Sequence, residues 1–180
     1  MVGLRHPLVL VFVLGTAAAA AACDSAPADD VIDMTFDVCA PMALRAPDAT
    51  EAQRAAIEEA AALWRRRGFT GVGAADTPGT PGLTFYFESA NPASFGYYAD
   101  EEGVIYINSD LSDPQRSIVI AHELGHAFGL WHVPKDERPS VMNPGNLTIT
   151  PNDADQDAVE GLWGMCGAAA TPVTPDAIDP

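Results

Sequence analysis

Three of the four histidines in the chain lie between residues 121 and 132, and their spacing constrains the local fold more than any other sequence feature. His122 and His126 are four residues apart, so on a helix they lie on one face and both rings can reach one metal ion. His132 follows six residues later and would point away on a continuous helix. Gly129 can adopt the left-handed conformation that ends a helix and reverses the chain. The pattern predicts a helix, a turn at Gly129 and three imidazoles around one ion.

Zinc is the metal that this ligand set favours, because three protein nitrogens leave one position on a tetrahedral ion open for water. Glu123 follows the first histidine and can reach that water without binding the metal. The hypothesis is that zinc activates the water and that Glu123 takes its proton. One catalytic zinc ion per chain is therefore expected.

The spacing His-Glu-x-x-His-x-x-Gly-x-x-His resembles the signature of the metzincin metallopeptidases. That family has a methionine-containing turn beneath the metal, and the segment "SVMNP" at 140–144 fits it, with Met142 as the methionine. Within the metzincins the chain is most similar to the matrixins, especially small bacterial forms. The similarity lies in "GLWH" after the second histidine, in Pro144 after the turn, and in a final helix ending "GLWG". It covers residues 31–166 and is specific over 114–164.

The resemblance implies an α+β fold whose N-terminal part is α/β-like. Its sheet would be twisted, five-stranded and mostly parallel with one antiparallel edge strand, beside an active-site helix and a small helical C-terminal subdomain. It also implies that Pro144 walls a substrate pocket and that an extended peptide adds to an edge strand at 95–99 by main-chain hydrogen bonds. The pocket residues expected in that strand are Phe95, Gly96, Tyr97 and Tyr98.

The elements predicted from the residues themselves agree with that layout. Alternating character predicts strands in "VIDMTFDVC" (31–39), "LTFYFES" (83–89), "SFGYYAD" (94–100) and "GVIYINSD" (103–110), with a further short strand in "FTGVG" (69–73). One helix is predicted to start at a Thr50–Gln53 capping box, the histidine helix at Pro114, and a last helix after Thr150 as its cap.

The chain also differs from the matrixins. It has no spare histidines for the second, structural zinc of vertebrate matrixins. No tyrosine follows Met142 closely either, so the tyrosine ligand of the astacin and serralysin branches of the metzincins is not expected. The cysteine-containing propeptide of that family is not expected, because little sequence separates Cys23 from the first predicted strand.

Calcium is considered as a second bound metal, held by acidic residues in the loops. Solvated loop acids are the simpler interpretation, because the sequence has no EF-hand-like spacing of oxygen ligands. The acids concerned are Asp100, Glu101, Glu102, Asp110 and Asp113.

The N-terminus predicts export. Arg5 is followed by an uncharged apolar stretch from Leu8 to Ala22 and then by Cys23, so residues 1–22 resemble a bacterial lipoprotein signal peptide with Cys23 as the lipidated residue. Ordinary cleavage within the alanine run is the alternative. The expected organisation continues with a tether at 23–30, a zinc metallopeptidase domain at 31–167 and a disordered tail at 168–180. The expected location is the cell envelope, as a periplasmic or cell-surface lipoprotein, or the exterior as a secreted protein.

The predicted export also determines whether the other two cysteines are expected to form a disulfide. If Cys23 carries lipid, Cys39 and Cys166 remain as an even pair in an oxidising compartment and are predicted to form a disulfide. Two unpaired thiols in the core are the alternative.

The net charge of −16 argues against a nucleic-acid partner, because phosphate backbones repel such a surface. The expected partner is a peptide or protein substrate, with membrane contact only through the lipid anchor and with the chain as a monomer. Two other functions remain open: a zinc-binding module that cleaves nothing, and a zinc hydrolase of a non-peptide substrate.

Overall fold

The computed structural model describes residue 32 and residues 35–89 and 94–167. These residues belong to one compact unit, Ile32–Pro180. The expected signal peptide, Cys23 and the tether fall in a separate unit, Met1–Val31, which lies outside the described residues, as does the expected tail at 168–180. No helix within the described part of the chain has the length and apolar character needed to cross a membrane.

Four strands and three helices make up the described fold. In chain order they are β1 (Ala43–Arg45), α1 (Glu51–Arg65), β2 (Gly82–Glu88), β3 (Gly96–Ala99), β4 (Val104–Asn108), α2 (Asp113–Ala127) and α3 (Asp153–Trp163). The strands form one sheet in the order β1-β2-β4-β3. The β1–β2 and β2–β4 pairs are parallel and the β3–β4 pair is antiparallel. The expectation of a mostly parallel sheet with one antiparallel edge strand at 95–99 is therefore confirmed.

The two faces of the sheet have different surroundings. Leu83, Phe85, Ile105 and Ile107 point to one face and are almost completely buried. This face carries the hydrophobic core, in which the apolar sides of α1 and α2 pack. Successive side chains of a strand alternate between faces, so the residues between these point to the other, solvent-facing side.

Helix α1 packs on α2 through small residues. Thr50 and Gln53 form the predicted capping box at its start. Its buried face contains Ala56, Ile57, Ala60, Ala61 and Trp64. The Trp64 indole N–H donates to the Ala121 carbonyl at 2.9 Å, which joins the two helices beside the histidines. Alanines on the contact face allow this close approach, since they add little side-chain volume between the axes.

The first part of the chain differs from its prediction. Residues 32 and 35–39 include no strand, although 31–39 alternates in character, and the first strand is β1 instead. The Phe36 N–H donates to the Ala127 carbonyl at 2.8 Å, so this segment is held at the end of α2 rather than in the sheet. The strand expected at 69–73 is reduced to an isolated bridge between Met42 and Val72. The described sheet therefore has four strands rather than five.

The C-terminal part is simpler than expected. After α2 the described residues contain an irregular segment and then α3, which belongs to the same compact unit as the sheet. The small helical C-terminal subdomain that was expected is not present as such among residues 128–167, where α3 is the one helix. Asn152, and not Thr150, caps α3, and its side-chain oxygen accepts from the backbone N–H groups of Ala154 and Asp155 at 2.9 and 3.2 Å.

Candidate metal centre

Helix α2 carries the first two histidines and ends so that the chain returns to them. Gly129 follows the cap residue Phe128 with φ of +95°. The Gly129 N–H donates to the His126 carbonyl at 2.8 Å and the Leu130 N–H to the Gly125 carbonyl at 2.9 Å, which is a Schellman motif. The reversal expected at Gly129 is present and brings the next residues back to the helix.

The three histidine rings converge on one point. The Nε2 atom of His132 lies 3.2 Å from that of His122 and 3.3 Å from that of His126. Three nitrogens at tetrahedral positions, each about 2.0–2.1 Å from a zinc ion, lie about 3.3–3.4 Å apart. The arrangement therefore fits one tetrahedral zinc, and the His122, His126 and His132 triad could bind a metal ion.

Two of the rings are oriented by backbone carbonyls. The Nδ1 atoms of His122 and His126 lie 2.7 Å from the carbonyl oxygens of Val141 and Leu130. A proton on Nδ1 donates to each carbonyl, which leaves the Nε2 lone pairs free for a metal. Burial lowers the pKa of both histidines, and that of His126 falls to about 3. Burial also lowers the pKa of His132. Neutral imidazole is the form that binds metal.

Glu123 lies beside the histidines and is held by the edge strand. Its side chain is buried, and burial raises the pKa of its carboxyl group to about 8, while a hydrogen bond from the Tyr98 backbone opposes that change. Gly96 faces it: a Cβ atom there would lie 2.8 Å from the Glu123 Oε1 atom and 2.8 Å from the Val119 Cγ1 atom. Gly96 therefore leaves the room that the carboxylate occupies.

Met142 lies under the histidine helix, fully buried. A Cβ atom on Gly125 would be only 2.3 Å from the Met142 sulfur, so the glycine permits the contact. The Val133 N–H donates to the Met142 carbonyl at 3.0 Å, which joins the turn to the residue after His132. Sequence reasoning missed Gly125. Its only signal was a glycine in a helix interior, a position that costs stability without a packing reason.

Asp155 on α3 forms hydrogen bonds with the turn that contains Met142. Its carboxylate accepts from the Val141 N–H and the Asn152 N–H, each at 3.0 Å, and from the Ser140 hydroxyl. The Ser140 oxygen in turn accepts from the Met142 N–H at 2.9 Å. The sequence predicted only the helix that carries Asp155. This network could not be read from it, because Asp155 and the turn are far apart along the chain.

An open cavity of about 220 Å³ borders the histidines. Of the predicted pocket residues, Pro144, Phe95 and Gly96 line it. Tyr98 is buried beneath the sheet, and Tyr97 points to the opposite face, 60% exposed. Sequence reasoning did not anticipate the remaining lining residues, which are Ser94, Val119, Gly145 and Asn146.

The acids considered for calcium do not come together as a metal-binding group within the described residues, where the histidine triad is the group found. Asp113 instead pairs with Arg116.

Cys39 and Cys166 form the predicted disulfide, with Cα atoms 5.0 Å apart. Cys39 precedes β1 in the structure, whereas it was expected to follow the first strand.

Comparisons with known proteins agree with this geometry. Residues 81–133 match the family model of the IrrE N-terminal-like domain, Peptidase_M78, over a stretch that includes β2, β3, β4, α2 and the histidine motif. The fold is similar to that of the crystal structure of myroilysin, a metallopeptidase, with a TM-score of 0.51 and 12% identity over 72% of this chain and 86% of that chain. No curated protein matches the chain in sequence. The family match supports a metallopeptidase, and the likeness to myroilysin supports the fold.

Proposed function

We propose that the chain is a zinc-dependent endopeptidase of the metzincin type, similar to the small bacterial matrixins. The observation that carries the proposal is the convergence of three histidine Nε2 atoms at an open cavity that Glu123 also lines. The extended motif and the methionine turn support the metzincin assignment, because both lie at the spacing of that family.

His122, His126 and His132 would hold the zinc ion, which when bound supplies an activated water and polarises the scissile carbonyl. Glu123 takes the proton from the attacking water and passes it to the amine nitrogen as the C–N bond breaks. Burial raises the pKa of this carboxyl group in the metal-free chain, and the positive charge of a bound zinc ion would oppose that rise and favour the carboxylate that accepts the proton. Met142 supports the histidines from below and does not contact the reacting atoms.

The substrate is a peptide in extended conformation. Strand β3 lies at the end of the sheet order with β4 as its strand neighbour, so a substrate can add as a further strand on its other side. The cavity between β3 and Pro144 accepts one substrate side chain. Main-chain pairing carries little sequence information, so we expect broad cleavage with a preference set by that cavity.

The test is the Glu123→Ala variant. It should retain one zinc ion per chain, measured by metal analysis, and lose about 10²–10⁴-fold in hydrolysis of a mixed peptide library. His126→Ala is the contrasting variant and should lose both zinc and activity. Near wild-type cleavage by Glu123→Ala contradicts the assignment. A zinc-loaded wild-type chain that cleaves no peptide indicates a binding module or a hydrolase of another substrate class.

We also propose that the chain acts outside the cytosol as a monomer, attached through a lipid on Cys23. The Cys39–Cys166 bond supports an oxidising compartment. Mass spectrometry of the mature protein should find an acylated Cys23 as the first residue, and an unmodified Cys23 thiol contradicts the anchor. One acyl chain alone binds membranes weakly, so firm attachment requires several.

A further inference from the structure

Three tyrosines lie side by side on the solvent-facing side of the sheet. Tyr86 on β2 pairs with Tyr106 on β4, and Tyr106 pairs with Tyr97 on the edge strand β3. The Tyr86 and Tyr106 rings are stacked, with centroids 5.8 Å apart. Tyr86 is 37% exposed and Tyr97 is 60% exposed. We call Tyr86, Tyr106 and Tyr97 the tyrosine row.

The surroundings of the tyrosine row are acidic. Residues 82–113 contain six carboxylates and no lysine or arginine. Burial raises the pKa of the Tyr106 hydroxyl, and the nearby charges of Glu102 and Glu88 raise it further. Among the residues that the structure describes, neither Glu88 nor Glu102 forms an ion pair. A cation is therefore the charge that complements this face.

A small depression joins the tyrosine row to the candidate active site. It measures about 60 Å³, and its lining includes Glu88, Tyr97 and Tyr106 together with Ser94 and Gly96. Ser94 and Gly96 also line the cavity beside the histidines. A peptide paired with β3 would place alternate side chains on the solvent face, next to Tyr97.

We propose that the tyrosine row and Glu88 form a docking surface for a lysine or arginine side chain of the peptide substrate, outside the cavity that borders the histidines. The inference rests on the proposed peptidase function and assigns it a substrate class: polypeptides with a basic residue beside the cleaved segment. Aromatic faces attract cations, and a carboxylate at the edge of the rings adds a direct ion pair. Tyrosine faces also bind sugars, but unpaired carboxylates favour a basic peptide over a neutral glycan.

The experiment uses the zinc-loaded mature chain and a series of fluorogenic peptides that carry arginine or its neutral analogue citrulline at one position at a time. At one position the arginine peptide should have a KM about threefold to tenfold lower than the citrulline peptide, with equal kcat, because the contact contributes binding only. The preference should shrink at high salt. It should vanish in Glu88→Gln and Tyr97→Leu, so that each variant has the same KM for the arginine and the citrulline peptide.

Glu51→Gln is the matched control, since it removes one exposed carboxylate from the start of α1, on the other side of the sheet, and should keep the preference. Cleavage without an arginine preference at any position, or a preference that survives both substitutions, overturns the inference but leaves the peptidase function intact. Binding of a chitooligosaccharide that Tyr97→Leu removes and Glu88→Gln retains, without an arginine preference, overturns it in favour of a glycan.

If no peptide is cleaved, the proposed function fails separately. The docking surface is then tested by fluorescence anisotropy with the same labelled peptides on the Glu123→Ala chain. Tighter binding of the arginine peptide supports the inference, and equal binding of the two peptides overturns it.

Discussion

The packing of Met142 beneath the histidine helix depends on the absence of a Cβ atom at Gly125. Gly125 lies in the helix interior, and an added Cβ atom would be 2.3 Å from the Met142 sulfur. Alanine is intrinsically the better helix former by about 1 kcal/mol, so only the tertiary contact opposes it. Helix α3 has a glycine without that contact: nothing lies within 4 Å of a Cβ atom built on Gly161.

Gly125→Ala should therefore destabilise the fold by about 1–3 kcal/mol, because the methionine or the helix must move. Zinc affinity should fall with it, since the same helix positions His122 and His126. Gly161→Ala is the matched control and should stabilise by about 0.5–1 kcal/mol. Urea unfolding and zinc titration measure both effects. Equal stability changes in the two variants contradict the role of the methionine contact.

The lowered pKa of His126 predicts how the stability of the metal-free chain changes as the pH falls. Burial and the neighbouring His122 lower the His126 pKa from 6.5 to about 3. The unfolded chain therefore takes up this proton first as the pH falls. The stability that neutral His126 contributes is fully present above pH 6.5 and is lost progressively toward pH 3, at about 1 kcal/mol per pH unit.

The stability that Glu123 contributes changes with pH in the opposite direction, because burial raises the pKa of its carboxyl group in the folded chain from 4.5 to about 8. The His126 effect should therefore be isolated by comparison of two chelator-treated chains. Urea unfolding at pH 7 and pH 5 should show a smaller loss of stability in His126→Gln than in the wild type. The same loss in both chains contradicts the assignment to His126.

At the scale of elements, α3 fixes the position of the methionine turn, residues 140–144, through hydrogen bonds. Asp155 accepts from the turn at Ser140 and Val141 and from its own helix start at Asn152. Arg67 at the end of α1 donates to the Pro151 carbonyl and pairs with Asp153, so α1 is tied to the start of α3 as well. The turn is therefore held by α3, and the start of α3 is in turn held by Arg67, which follows α1.

Asp155→Asn should destabilise the fold by about 1–3 kcal/mol, because an amide group offers fewer acceptors to these buried donors. The turn should loosen and zinc should dissociate faster, which chelator competition measures. Asp157→Asn is the control: Asp157 is exposed on the same helix, and its substitution should be nearly neutral. An unchanged rate of zinc release from Asp155→Asn indicates that the hydrogen bonds of Asp155 contribute to the stability of the fold but not to zinc retention.

At the scale of the whole molecule, the disulfide connects the two ends of the described chain. Cys39 and Cys166 are 127 residues apart in sequence, so the bond restricts nearly the whole domain in the unfolded state. The chain-entropy model gives about 4–5 kcal/mol for a loop of this length. A protease benefits from that restriction, because self-cleavage depends on local opening.

Thiol titration of denatured, unreduced mature protein should find neither Cys39 nor Cys166 free. The double variant Cys39→Ser/Cys166→Ser should unfold at lower urea concentration and should be cut faster by an added protease. Reaction of both cysteines with a thiol reagent before reduction contradicts the bond in solution.

Local spacing in the sequence determined the histidine arrangement. Residues four apart on a helix share a face, and Gly129 permits a reversal, so the approach of His132 follows from contacts within eleven residues. The capping box of α1, the start of α2 at Pro114 and the strands β2, β3 and β4 depend on equally local signals.

Only the tertiary structure decided which segments pair and what packs between them. Residues 31–39 alternate like a strand, yet their described part is held at the end of α2, and the sheet has four strands. The roles of Gly125 and Asp155 follow from contacts with the methionine turn, which belongs to neither helix, and the orientation of Tyr97 follows from its pairing with β4. Periodicity describes one segment at a time, whereas pairing and packing depend on the competition among all segments for the same buried surface.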